Sequence, residues 1–190
     1  MKWLKLTTLL TIVALLQGCV AAAVVTAVGG VSVINDRRSV GHQIDDQTIE
    51  FNAYTALSNA SELKNTTNIH VISVNATVLL IGQATSKEIR DIAVKAVSNV
   101  AGIVRIQNQI KIGSPTSILT RTNDTWLTTK VKAALLASKA LDATNIKVIT
   151  ENGEVFLMGL VSNAEAQAAI ELARNIKGVN RVYNAFEITK

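Results

Sequence analysis

The chain contains two copies of one pattern, and this internal repeat limits its fold more than any other feature of the sequence. Segment 68–71 (NIHV) matches segment 145–148 (NIKV), and Gly159 follows Gly82 by 77 residues. Further residue pairs keep nearly the same interval: Asp46 and Asp124, Ile49 and Leu127, Gly102 and Gly178, and Asn108 and Asn184. In a chain of 190 residues, such a repeat predicts two small domains of the same fold rather than one larger domain.

Each copy has the pattern of a helix, two strands, a second helix and a final strand, which is typical of an α+β domain. The local signals are a tight turn at Asn152-Gly153, capping boxes at Ser162 to Glu165 and Thr85 to Glu88, and a helix cap at Asp124. We therefore expect two αββαβ domains. Each should contain a three-stranded mixed sheet with both helices on one face.

The N-terminus has the pattern of a lipoprotein signal peptide. Lys2 and Lys5 precede an apolar run, which ends in the sequence Leu-Gln-Gly-Cys at Cys19. Because Cys19 is the only cysteine, it cannot form an internal disulfide, and lipidation explains its presence. A transmembrane helix that continues through residues 20–34 is the alternative, although Gly29-Gly30 disfavours it.

This resemblance to a lipobox implies cleavage behind Gly18 and a covalent N-acyl and diacylglycerol lipid on Cys19, with no other cofactor. In bacterial lipoproteins an Asp after the cysteine commonly retains the protein in the inner membrane, whereas this chain has Val20. The resemblance implies a lipid-anchored protein on the periplasmic face of the outer membrane. The expected segments are a signal peptide (1–18), a lipidated tether (19–43), a first domain (44–113), a linker around the only proline (114–123) and a second domain (124–190).

The repeated pattern resembles the BON domain family, whose members share Asp-x-x-Ile/Leu, a Val-x-x-Ala-Leu helix, a Val-x-Leu-x-Gly strand and a late Gly-Val. The second copy carries these residues as Asp124, Leu127, Val131, Leu135, Val155, Leu157, Gly159, Gly178 and Val179. The first copy departs at Ala53, where the helix pattern has Val. The whole organisation is similar to the outer-membrane lipoproteins with two BON domains that are associated with cell division and outer-membrane stress. The resemblance implies phospholipid binding and a role in envelope integrity.

The side-chain inventory does not indicate an enzyme. His42 and His70 are the only histidines, and no carboxylate pair recurs with its neighbours in both copies. We expect no catalytic residues and no metal site, and we interpret His70 as a solvated strand side chain. Without Lys2 and Lys5, 17 basic residues face 14 acidic ones, a small excess that does not indicate nucleic-acid binding.

The first helix of the second copy, predicted over 125–138, has more apolar residues than its core face needs. Leu127, Val131 and Leu135 share the core arc, whereas Trp126 lies on another arc with Lys130. The remaining candidate positions around this second arc are Lys132, Ala133, Leu136 and Ala137. A tryptophan and a leucine flanked by lysines are typical of a surface that contacts anionic phospholipid, such as phosphatidylglycerol.

The first copy has Thr48 in place of Trp126, so the fold does not require the tryptophan. Lys177 and Arg181, which flank the turn at Gly178, could add anion contacts, although Arg181 recurs as Arg105 and this favours a structural role. The rival hypothesis is an adaptor that docks this helix face onto an envelope assembly or division complex. A third interpretation packs Trp126 against the first domain.

The strand pattern predicts where the two domains meet. Alternation in the second copy points Val155 and Leu157 inward and leaves Phe156 and Met158 on the open face of the sheet. The first copy leaves Leu79 there in the same way. Because two apolar sheet faces can bury each other, we expect the sheets to pack together and the Trp126 helix to remain exposed.

Overall fold

The computed structural model of the chain describes residues 40–189. The predicted signal peptide, Cys19 and the predicted tether up to residue 39 lie outside the described residues. None of the helices within this range combines the length and the apolar composition that crossing a membrane requires.

The first domain begins with helix α1 (Val40–Asn59), followed by a short 3₁₀ turn. Strands β1 (Thr67–Val74) and β2 (Thr77–Ala84) form an antiparallel hairpin. Helix α2 (Lys87–Ser98) then leads to β3 (Arg105–Ile112), which pairs with β2 in parallel. The order β1-β2-β3 is the predicted three-stranded mixed sheet, and the buried apolar residues of both helices cover one of its faces.

The second domain repeats this order with helix α3 (Ile118–Ala137), strands β4 (Ile146–Glu151) and β5 (Glu154–Val161), and helix α4 (Asn163–Arg174). Its final strand is interrupted. The segments β6 (Arg181–Asn184) and β7 (Glu187–Ile188) both pair with β5 in parallel, so this sheet has four strands where three were expected.

A buried aspartate on the first helix of each domain holds the hairpin turn. Asp124 accepts hydrogen bonds from the backbone N–H groups of Asn152 and Gly153, both at 2.8 Å. Asp46 accepts from the N–H groups of Asn75 (2.9 Å) and Ala76 (3.0 Å), and the Ser73 hydroxyl also donates to it at 2.7 Å. The prediction that Asp124 caps its helix was therefore wrong, since the carboxylate lies inside the helix and satisfies buried amides of a distant turn.

Ser117 is the observed cap of α3. The cap of α2 is likewise Ser86 rather than the predicted Thr85, whereas the capping box between Ser162 and Glu165 is confirmed. The two N-terminal helices begin at Val40 and Ile118, earlier than the predicted domain segments. The exact domain boundaries stay predictions.

Gly82 and Gly159 occupy the same place in the two sheets. At this place the backbone at the start of the neighbouring strand lies very close to the glycine. A Cβ at Gly82 would lie 1.9 Å from the carbonyl oxygen of Asn68, and one at Gly159 would lie 2.0 Å from that of Asn145. No side chain fits at these separations, which explains why the last position of the Val-x-Leu-x-Gly motif is glycine in both copies.

The two sheets pack face to face, as predicted. Leu79 and Ile81 of the first domain form one buried cluster with Phe156 and Met158 of the second. The ring of Phe156 also stacks on Tyr183 with centroids 4.7 Å apart. Because each pair of helices covers the other face of its own sheet, the layers run helix, sheet, sheet, helix.

Polar contacts surround this apolar interface. The Lys147 ammonium donates to the Glu50 carboxylate at 2.8 Å and to the Ser73 carbonyl at 2.9 Å. Lys111 pairs with Glu154 across the same contact. These partners belong to different domains, so they fix how one sheet lies on the other.

Candidate functional site

Helix α3 carries most of the predicted site, and its outer face lies away from the interdomain contact. Leu127, Val131 and Leu135 are buried against the second sheet. Trp126 is 58% exposed and Leu136 is 68% exposed. The prediction that this helix stays outside the sheet-to-sheet interface is therefore confirmed.

Trp126 and Lys130 form one unit on this face. The Lys130 ammonium lies 4.1 Å from the centroid of the indole ring, within the range of a cation–π contact. The same ammonium is 3.4 Å from the carbonyl oxygen of Lys177. The positive charge is thus held beside the exposed ring instead of ranging over the surface.

The apolar surface extends further toward the start of α3 than predicted. Leu119 is 80% exposed and lies about 20° around the helix from Trp126, while Ile118 is 83% exposed at the edge of the same surface. The prediction missed both residues because it began the helix at Thr125. We define the Trp126 face as Leu119, Trp126, Lys130, Ala133 and Ala137, flanked by Ile118 and Leu136.

Lys177 and Arg181 lie in the turn and strand that follow α4. Both side chains are exposed, but the Arg181 guanidinium donates to the Tyr183 hydroxyl at 3.0 Å. This hydrogen bond, with attraction to ionised Tyr183 and to the Glu154 carboxylate, raises the pKa of Arg181 above its ordinary value. Lys177 is close to the Trp126 face through its carbonyl oxygen, whereas the Arg181 side chain lies along β6 against Tyr183.

Lys132 faces a different direction from Trp126. The two residues are about 120° apart around the helix axis, and Lys132 lines a groove between α3 and β4 together with His70. The predicted site residues therefore fall on two surfaces of α3. Trp126, Lys130 and Ala133 share one, and Lys132 belongs to the other.

His70 is not the merely solvated side chain that the sequence suggested. Its Nε2 lies 3.3 Å from the Glu151 carboxylate of the second domain. Glu151 is buried and also accepts from Gln83 at 2.7 Å and from Thr116 at 3.3 Å. Burial alone would raise the pKa of Glu151, but hydrogen bonds from His70, Gln83 and Thr116 outweigh it and lower the pKa.

The first domain lacks the features of the Trp126 face. Thr48 stands where α3 has Trp126, and it lines a cavity of about 260 Å³ with Ile49, Asn75 and Gly102. In residues 40–189 no group of three or more His, Cys, Asp or Glu side chains could hold a metal ion. The two domains therefore share a scaffold and differ in what their first helices present to solvent.

Comparison with known proteins agrees with this architecture. The family model of the BON domain matches residues 45–114 and again residues 123–190. Together the matches include both αββαβ units, so the chain contains two copies of the family's domain.

Three relatives match most of the chain. The outer membrane lipoprotein DolP of Haemophilus influenzae is 37% identical over 183 residues, which cover 96% of this chain and 95% of that protein. The 21 kDa hemolysin of Actinobacillus pleuropneumoniae is 43% identical, with 77% and 76% covered. The osmotically-inducible protein Y of Escherichia coli K12 is 30% identical, with 82% and 78% covered. The chain belongs to the BON domain family and is an outer-membrane lipoprotein with two such domains.

Proposed function

We propose that this chain is a non-enzymatic lipoprotein, anchored by a lipid on Cys19, whose second BON domain binds anionic phospholipid and thereby supports envelope integrity. The Trp126 face would make the contact, with phosphatidylglycerol as the expected class of lipid. The observation that carries the proposal is a half-exposed tryptophan with an ammonium over its ring on the outer face of α3. The names of the three relatives, none of which is an enzyme name, support the non-enzymatic part.

The chemistry of this face suits the boundary between headgroups and acyl chains. An indole prefers that depth, and exposed leucines beside it can enter the apolar region. The Lys130 ammonium, held at the ring, would meet a headgroup phosphate at the same depth. A basic side chain near an anionic surface contributes about 1 kcal/mol, and a buried leucine contributes about 1.5–3 kcal/mol.

Such a contact is weak when the protein is free in solution, and the anchor changes this. With a lipid on Cys19, the second encounter with the membrane becomes intramolecular, so a weak affinity is sufficient. The anchor would provide residence in the membrane, and α3 would provide the preference for anionic headgroups.

The test is co-sedimentation of the mature chain, residues 19–190 with Cys19→Ser, on vesicles of phosphatidylcholine or of phosphatidylglycerol. This protein has neither the lipid nor the apolar signal peptide. We expect binding to the anionic vesicles, and we expect Trp126→Glu to abolish it. Thr48→Glu, the same change at the matching position of α1, is the control and should leave binding intact. If the Cys19→Ser protein binds neither vesicle while remaining folded, the lipid-binding proposal is wrong.

The rival function as a protein adaptor is favoured by one feature of the first domain. Ile44 and Phe51 lie seven positions apart on one face of α1 and are 58% and 70% exposed. Helix α1 has no lysine or arginine, so an anionic membrane would not attract this face. Co-purification of envelope proteins with the unlipidated chain that is lost in Phe51→Glu but kept in Trp126→Glu would support the adaptor.

A further inference from the structure

A groove between α3 and the edge strand β4 lies outside the surface used in the proposed lipid contact. Its volume is about 390 Å³, and its walls come from α3, from β4 and from His70 of the first domain. Arg121 and Lys132 line it from the helix, about 20° apart around the axis. This side of α3 faces roughly 120–140° away from Trp126.

Strand β4 presents backbone donors to this groove. It is an edge strand that pairs only with β5, and alternation along the register turns the N–H groups of Val148 and Thr150 away from β5. Both residues line the groove. An edge strand with free amides is a template for an added strand.

The first domain closes the same edge with side chains of its own helix. The N–H of Val71 donates to the Tyr54 hydroxyl at 3.1 Å, and the N–H of Ser73 donates to the Glu50 carboxylate at 2.7 Å. These two cap residues correspond to Lys132 and Thr128 in the second domain.

Neither replacement closes the edge of β4. The Thr128 hydroxyl donates to the Thr150 hydroxyl at 2.8 Å and not to its backbone, and a lysine ammonium cannot accept a hydrogen bond. Within the described part of the chain, no side chain accepts from the amide of Val148 or Thr150. The second domain therefore lacks the side-chain acceptors that cover the outer edge of β1 in the first domain.

The charge of the groove points to the chemistry of its partner. Among residues 40–189, neither Arg121 nor Lys132 has a salt-bridge partner. The carboxylates in the wall, Asp124 and Glu151, are buried and already accept several hydrogen bonds each. The Arg121 guanidinium donates to the Thr116 carbonyl at 3.2 Å but faces no carboxylate partner among the described residues. The two cations stand about 16 Å apart along the helix, the length of roughly five residues of extended chain.

We propose that this groove binds an extended, acidic segment of a partner polypeptide, which lies along β4 and pairs with the amides of Val148 and Thr150. Carboxylates of the segment meet Arg121 and Lys132 at the two ends. Main-chain hydrogen bonds to a strand edge provide affinity, and the end charges provide selection. A peptide fits better than a phospholipid because the donors recur every second residue along the strand, which matches the carbonyl spacing of an extended chain.

The probe for the test is a fluorescein-labelled eight-residue peptide of alternating glutamate and valine, titrated into the unlipidated Cys19→Ser chain. Anisotropy should report saturable binding, and amide NMR shifts should concentrate on α3 and β4. The double variant Arg121→Glu with Lys132→Glu should weaken binding by at least about tenfold. A peptide with lysine in place of glutamate should not bind.

Two further variants separate the strand edge from simple charge attraction. Thr128→Gln places an amide oxygen where Glu50 caps the first domain and adds no charge, so it should weaken peptide binding while Arg121 and Lys132 remain. Lys139→Glu, beyond the end of α3, is the matched charge control and should have no effect. Thermal unfolding of each variant verifies that it is folded.

The outcomes decide the proposal. Loss of peptide binding in the groove variants, with binding retained in Trp126→Glu, supports it and separates it from lipid binding. Absence of binding by the folded wild type overturns it, as does equal binding by the double variant. If Lys132→Glu reduces only vesicle binding, the cation belongs to the lipid surface and the proposed groove is wrong.

Discussion

The first helices of the two domains have the same fold position and opposite charge. Helix α1 carries Asp45, Asp46 and Glu50 with no lysine or arginine, whereas α3 carries one acidic residue and three basic ones. Their buried sides are nevertheless alike, since each packs an aspartate and an apolar stripe against its own hairpin. The duplicated fold therefore fixes the inner side of this helix and leaves its outer side free to acquire different partners.

The largest expected effect tests the part that the domains share. Asp46→Ala should destabilise the protein by about 4 kcal/mol and Asp124→Ala by about 3 kcal/mol, because buried amides of the hairpin lose their acceptor. Urea unfolding monitored by circular dichroism measures both values. Asp45→Ala, an exposed neighbour, should stay within about 0.5 kcal/mol of wild type. If Asp46→Ala and Asp124→Ala destabilise the protein no more than Asp45→Ala does, the two carboxylates do not hold the turns.

An exchange of residues between the helices tests the part that differs. Trp126→Thr should lower the affinity for phosphatidylglycerol vesicles about tenfold, or about 1.4 kcal/mol. Thr48→Trp should not create a second binding surface, because α1 is acidic and an anionic membrane repels it. Co-sedimentation with the vesicles measures both, because Trp126→Thr removes the tryptophan that fluorescence would report. Gain of binding in Thr48→Trp would mean that the aromatic ring, without the surrounding charge, is sufficient.

The hairpin turns provide a smaller contrast. Ala76 has a positive φ of 60° where the second domain has Gly153 at 73°. Gly153→Ala should cost about 1–2 kcal/mol, and its Cβ would also crowd the Asn180 amide at 2.4 Å. Ala76→Gly should stabilise by about 0.5 kcal/mol, since relief of strain is partly offset by the entropy of glycine. Equal effects of the same sign on melting temperature would contradict this account.

The smallest effect concerns the pH dependence of the interdomain contact. Because the pKa of Glu151 is lowered in the folded protein, its stabilisation is present above the ordinary value of 4.5 and is lost as the pH falls through the lower folded value. Wild type should therefore lose more stability on acidification than Glu151→Gln does. Parallel curves of unfolding midpoint against pH for the two proteins would exclude this contribution.

The sequence predicted the features that depend on local periodicity and on the repeat. The two αββαβ units, the sheet-to-sheet contact through Phe156 and Leu79, and the exposure of Trp126 all follow from patterns within a few residues. The role of Asp124 could not be found in this way, because its partners lie 28 and 29 residues away. An aspartate before an apolar run has the pattern of a helix cap. Only the folded structure shows that its carboxylate accepts hydrogen bonds from a distant hairpin turn.

The missed parts of the candidate site have similar causes. Leu119 was omitted because the extra turns of α3 precede the repeated motif. The groove beside Lys132 was missed because it depends on an absent cap, and a hydroxyl or carboxylate cap is recognised only when both strand edges are compared. His70 looked solvated because its partner, Glu151, is on the other domain.

The face-to-face stacking of the sheets also makes the two outer faces of the molecule different in charge. It places the acidic α1 and the basic α3 in opposite outer layers, so these two helices contribute a dipole across the four-layer thickness. Near an anionic bilayer such a dipole experiences a torque before any atom touches a lipid. The protein would turn its second domain toward the membrane during approach, which means that orientation is selected by the field and only afterwards fixed by contact.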